Sequence, residues 1–194
     1  MNSDLARGNI LGRVRAALRE PAHQPVKPSG AAVFPPVQDL EARFREEFVF
    51  LKGEMVDTAD ALREFLKAFP ALATDGSDLV RQAVGTGNAE VRQADLGVTA
   101  CDCLVARTGS VFVSTRSAGG RALSVLPPVH LVVARRDQLL PDLDSAFALL
   151  RRVHGHRWPS QLSLITGPSR TADIEKILVM GAHGPKRLAL YFAP

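Results

Sequence analysis

The sequence predicts an α/β fold, an open mixed or mostly parallel sheet with flanking helices. Three observations predict it. Apolar residues recur at helical spacing over residues 38–70. Short apolar runs separated by turn signals take over after about residue 95. The apolar run 129–134, a helical pattern over 142–153 and the run 162–166 then follow as strand, helix and strand, the order of a parallel crossover unit. With 194 residues, 46% hydrophobic and 23% charged, the chain suits one domain with a substantial core and a small appendage.

Residues 1–20 read as an N-terminal amphipathic helix over 4–19, with Ile10, Leu11, Val14 and Leu18 on one side and arginines around the other. Asp4 is a candidate N-cap or first-turn acid, and Pro21 ends the helix. Residues 21–37 form a proline-rich linker, and residues 38–194 a single α/β domain. The apolar stripe of the first helix must fold back on the core or pack on another chain. In the domain, Leu40, Phe44, Phe48 and Leu51 line one helix that Gly53 ends. A second helix over 58–68 is capped by Asp57 or Thr58 and stopped by Pro70. Cys103–Ala106 and Val111–Ser114 flank Arg107-Thr108-Gly109-Ser110 as two strands around a tight turn. The unbroken apolar run 129–134 implies a strand covered on both faces, and 162–166 reads as another buried strand. Leu188–Phe192 is a last strand, and Ile177–Met180 fits strand or helix.

Charge divides unevenly. Residues 1–103 carry 12 basic and 15 acidic side chains, net −3, and residues 104–194 carry 12 basic and 5 acidic, net +7. Nineteen of the 24 basic residues are arginine, whose fork binds carboxylate or phosphate through paired hydrogen bonds. No dense basic block occurs and there is one Trp and one Tyr, which argues against nucleic acid as partner. No apolar run is long enough to span a bilayer and no secretory leader is visible, so the expected location is cytoplasmic. Cys101 and Cys103 cannot by themselves supply a four-thiolate site. In a strand they would share a face without forming a good disulfide, and they read as small buried apolar residues, with a redox or shared-metal role as the alternative. No H-E-x-x-H, repeated C-x-x-C or G-x-S-x-G motif occurs, so no metal site or hydrolase elbow is expected.

Four glycine-containing loops could carry chemistry, since in open α/β sheets ligands gather at the carboxyl ends of strands. They are Thr108-Gly109-Ser110, Gly119-Gly120-Arg121, Thr166-Gly167-Pro168-Ser169-Arg170-Thr171 and Gly181-Ala182-His183-Gly184-Pro185. The third is expected to enter a helical turn at Ala172-Asp173-Ile174-Glu175, capped by Ser169 or Thr171. Its amides and Arg170 would form an anion site, or Asp173 and Glu175 would merely answer the turn's positive end. Gly120 and Arg121 read as a cradle or as a loose surface connection. Thr108, Gly109, Ser110, Gly167 and Gly184 complete the candidate ligand-binding set. His183, on a glycine loop, and His130, inside an apolar strand and equally readable as a satisfied core residue, are the candidate catalytic histidines. His154 and His156, around Gly155 in a basic loop, read as solvated surface.

The order of these motifs resembles one family. Leu96-Gly97-Val98-Thr99-Ala100 leading to Thr108-Gly109-Ser110, then Arg121-Ala122-Leu123-Ser124-Val125-Leu126-Pro127-Pro128-Val129-His130, then the loops 166–175 and 181–185, are similar to the LUD domain, specifically the lactate-utilisation protein C family. The resemblance is close over about residues 95–192 and loose before that. It implies a fold similar to the ribose-phosphate isomerase and CoA-transferase group. It also implies a cluster-free component of a multi-subunit L-lactate oxidation system, binding a small carboxylate or an anionic cofactor, with iron–sulfur clusters only on sister proteins. The alternative is a stand-alone binding protein or isomerase-like enzyme for a phosphorylated small molecule, because a fold does not fix a function.

Overall fold

The computed structural model describes residues 3–19, 34–116, 121–171, 179–181 and 183–194. The chain divides into two compact units, residues 1–35 and 36–194. In the first, helix α1 spans Ser3–Ala17. Most of the 21–37 linker lies outside the described residues.

The second unit begins with helix α2 (Leu40–Phe50), whose N-cap Asp39 accepts a hydrogen bond from the Ala42 amide at 2.9 Å. Strand β1 (Glu54–Val56), helix α3 (Ala59–Lys67), β2 (Leu72–Thr74), helix α4 (Asp78–Val84) and β3 (Leu96–Thr99) follow. Thr58 caps α3 through the Ala61 amide at 3.0 Å. Next come β4 (Cys103–Val105), β5 (Ser110–Ser114), β6 (Val129–Ala134), β7 (Leu139–Leu140), helix α5 (Leu143–His154), β8 (Leu162–Ile165), the short pair β9 (Arg170–Thr171) and β10 (Val179–Met180), and β11 (Arg187–Phe192).

Two larger sheets result. The first is wholly parallel, in the order β1-β11-β6-β3-β2, with Leu188 opposite His130 and Gly97 opposite His130 on the other side. The second has the order β7-β4-β5-β8; β4–β5 and β5–β8 are antiparallel. The strand period of two separates the faces of the parallel sheet. Val129, Leu131, Val133, Ala189 and Tyr191 pack with Leu62 of α3 and Val80 of α4. Val132, Ala134, Leu188, Leu190 and Phe192 pack with Phe44 and Phe48 of α2 and with Leu104, Val111 and Val113 of the second sheet. The far face of that sheet, through Cys103, Val105 and Phe112, is covered by Ala146 and Leu150 of α5. The layers therefore run helix, parallel sheet, mixed sheet, helix, and the expected α/β class with a mostly parallel sheet and flanking helices is what is observed.

Three expectations are corrected. The run 129–134, helix and run 162–166 do not form a parallel crossover: β6 lies in the first sheet, and β8 pairs antiparallel with β5 in the second. Nor is β8 buried. It is an edge strand with Leu164 exposed. Cys101 and Cys103 do not share a face either. Cys101 precedes β4 and packs between the sheets, and Cys103 packs toward α5. Both are free and buried, as small apolar residues would be.

Helix α5 starts at Asp142, whose Oδ1 accepts from the Ser145 amide at 2.8 Å. That backbone hydrogen bond, first among the causes, holds the Asp142 carboxyl below its ordinary range. Asp142→Ala should lower unfolding stability by about 1 kcal/mol in urea denaturation at pH 7. The loss should shrink as acid protonates Asp142, because a depressed carboxylate contributes only while ionised.

Candidate functional site

The loop after β4 begins with a single 3₁₀ turn, Ala106–Thr108, and reverses at Gly109 in the left-handed region, φ 57°. A side chain there would stand 2.5 Å from the backbone nitrogen of Phe48 in α2. Gly109 is thus required for close approach of two backbones. Ser110 is buried. Its hydroxyl donates to the Thr108 carbonyl at 3.2 Å and shares a 2.8 Å hydrogen bond with the Thr166 hydroxyl. The Thr108 hydroxyl is buried and has no partner among the described residues.

Thr166 joins this loop to the third. Gly167, φ 81°, packs against the Leu51 carbonyl just beyond α2, where a Cβ would come within 2.7 Å. The Arg170 guanidinium lies over Gly167, 3.4 Å from the same point. The Ser169 amide donates to the Pro185 carbonyl at 2.9 Å, and the Gly181 amide donates to the Ser169 carbonyl at 2.8 Å. Gly184 faces Ser169, and Arg170 and Thr171 pair antiparallel with Met180 and Val179. Three glycine loops, 108–110, 166–171 and 181–185, are therefore stitched together. Arg170 and His183 sit on adjoining turns and are exposed. Among the described residues Arg170 has no carboxylate partner.

The ensemble lies elsewhere than the sequence suggests. Lys186 and Arg187 donate through their amides to the Pro128 carbonyl at the start of β6, so the 181–185 loop stands at the amino ends of β6 and β11, not at the carboxyl ends. The Ser169 amide is engaged by Pro185, and residues 170–171 are strand; the helical turn expected over 172–175 lies outside the described residues. Asp173 and the rest of 172–178 lie outside the described residues, as does Gly120. Ile177–Met180, open between strand and helix, ends in the strand pair Val179–Met180.

Arg121 is not brought to this cluster. It lines a small hollow with Ser114, Ser124, Gln161 and Ser163. In the β5–β8 ladder Ser114 pairs with Leu162, whereas Ser110 and Thr166 meet at the other end. Four residues at roughly 3.4 Å each separate the two ends by about 14 Å.

His130 is fully buried. Its Nε2 lies 2.8 Å from the Thr99 hydroxyl, and Nδ1 has no partner among the described residues. Burial drives its pKa down to about 4, so it is neutral at pH 7. The proton is best placed on Nε2, where a hydrogen bond uses it. With no access to solute, His130 belongs to the core. Burial also pushes the Cys103 thiol up to about 12 and raises Cys101 well above the ordinary thiol value, so neither is a thiolate at neutral pH.

Two residues escaped the sequence reading. His154 is buried, not solvated: neither ring nitrogen has a hydrogen-bond partner among the described residues, and Nε2 lies 4.0 Å from Asp102 Oδ1. Lys186 packs its methylenes against Gly181 and is exposed beside the loop cluster. Its neighbour Arg187 is committed elsewhere, bonded twice to Glu54 at 2.7 Å and stacked over Phe65 and Phe69.

Fold and loops together define a layered α/β domain in which glycine turns gather basic side chains at the amino ends of the central strands of a parallel sheet. The chain belongs to the LUD domain family, whose model matches residues 43–192. It is similar to the lactate utilization protein C of Halalkalibacterium halodurans, 35% identical over 59% of this chain and 47% of the relative. It is also similar to the protein of the same name from Deinococcus radiodurans, 35% identical over 59% of this chain and 54% of the relative, and to that of Bacillus subtilis, 33% identical over 52% and 42%. The chain spans about half the length of these relatives. Among solved structures, a DUF162 family protein from Deinococcus radiodurans shares the fold with a TM-score of 0.56 at 20% identity, covering 80% of this chain and 96% of that one.

Proposed function

We propose that this chain serves lactate utilisation as a cluster-free component of a multi-subunit L-lactate oxidation system, holding a small carboxylate at the 108–110, 166–171 and 181–185 loops. The names of its relatives support the pathway. The observation that supports the site is the mutual bonding of Ser169 with Pro185 and Gly181, which joins the loop that carries Arg170 to the loop that carries His183. Arg170 would take the carboxylate through its fork. His183 would accept the hydroxyl proton as the carbon–oxygen double bond forms. The two electrons of the C–H bond would have to go to an acceptor outside this chain, because no side chain accepts hydride. The place of action is the cytoplasm. No helix among the described residues is long and apolar enough to cross a membrane.

Calorimetric titration tests the binding step. L-lactate or pyruvate should bind the intact chain, and Arg170→Ala should weaken binding about tenfold or more, the loss of a charge-assisted pair. The isolated chain should not oxidise lactate, and turnover without a partner contradicts the assignment. Stabilisation by sugar phosphates, with no response to lactate or pyruvate, favours a binding protein or isomerase for phosphorylated molecules instead.

A further inference from the structure

A second hollow, lined by residues outside the four glycine loops, lies at the carboxyl end of the parallel sheet. It is a half-open cavity of about 340 Å³ between α3, α4 and the end of β11. That volume falls within the ~300–1,000 Å³ of small-molecule sites. In open α/β sheets such crevices beyond the carboxyl ends of strands are where ligands bind.

The walls are apolar: Leu62 from α3 and Leu79 and Ala83 from α4. Three polar side chains interrupt them, those of Tyr191, Arg63 and Gln82. Tyr191 is 5% exposed, yet no described residue hydrogen-bonds its hydroxyl. The ring is buried, but the hydroxyl is within reach of solvent and can donate into the hollow. Among the described residues Arg63 pairs with Asp60 alone, three residues earlier on the same helix, and both are well exposed. Such a pair is weak and yields readily to a better-desolvated anion. Tyr191, Arg63 and Gln82 can all donate, and Ala59, Ala193 and Pro194 complete the lining.

We infer that this hollow binds a monocarboxylate with an apolar tail, the tail against Leu62, Leu79 and Ala83 and the head on Tyr191 and Arg63. The site is separate from the loop cluster: it stands at the carboxyl end of β11, and the loops stand at the amino end. Its occupant is bound and not transformed, so no bond is made or broken.

Calorimetry on the intact chain with hexanoate, octanoate and hexanol tests it. Hexanoate and octanoate should bind, and hexanol at least tenfold more weakly. Tyr191→Phe, which keeps the packing, should weaken hexanoate about tenfold, as should Arg63→Gln. Ala83→Phe should abolish binding by filling the space; a circular-dichroism melt separates loss of binding from loss of fold. Arg170→Ala should leave hexanoate unaffected, so failure here is distinguishable from failure of the lactate site. No hexanoate or octanoate binding at millimolar concentration, equal binding of hexanol, or affinity unchanged in both Tyr191→Phe and Arg63→Gln would overturn the inference.

Discussion

Phe48→Ala should lower unfolding stability by about 4 kcal/mol, read from denaturant midpoints at constant slope. Phe48 is fully buried and stacks on Phe44 with ring centroids 5.2 Å apart; Phe44 in turn meets Phe192 edge-on at 6.3 Å. The ring fills the layer between the two sheets, so truncation leaves a cavity rather than a surface dent. A second consequence follows from position. The backbone of Phe48 supports Gly109, and the end of α2 supports Gly167. Loosening α2 should therefore raise amide hydrogen exchange at Ser110 and Gly167 more than at β3. Uniform exchange across both places would contradict the link between core and loops.

Acid should destabilise the protein through His130, by on the order of 3 kcal/mol between pH 7 and pH 4. In the unfolded chain this histidine titrates near 6.5; folded, it is held down to about 4 by burial. Below 6.5 the unfolded state binds a proton that the folded state refuses. The contribution is complete above the unfolded value and is lost as pH falls toward 4. His130→Leu removes that proton site. The difference in unfolding free energy between the natural chain and the variant should thus fall as pH drops from 7 to 4. A difference independent of pH would show that His130 is reachable by protons in the folded state.

Much of this architecture can be read from local pattern, and the unread parts share causes. Helices α2 and α3 announce themselves by apolar spacing, and α3 also by Thr58 at its cap; the α2 cap, Asp39, went unread. The Arg107–Ser110 turn marks the β4–β5 hairpin. Strands β1 and β2, three residues each, are too short to display an alternation. Partner choice is not local at all: Leu162-Ser163-Leu164-Ile165 resembles a buried strand, but its place at a sheet edge is decided by β5. His154 could have been placed inside, since it falls four and eight residues after the core residues Leu150 and Ala146 on one face of α5. At the candidate site, glycines marked loops that must approach other backbones. They could not tell which end of the strands the loops occupy, nor that Arg121 lies at the far end of the β5–β8 ladder. The apolar hollow beside Tyr191 was invisible because its walls come from two helices and a strand far apart in sequence.

Amide chemical-shift mapping by NMR on the isotope-labelled chain during pyruvate titration tests the central claim most directly. A single carboxylate site predicts that the largest shifts fall together on Ser110, on Gly167 to Thr171 and on Gly181 to Gly184. Shifts confined to one of these loops, or appearing only around Arg63 and Tyr191, would contradict it.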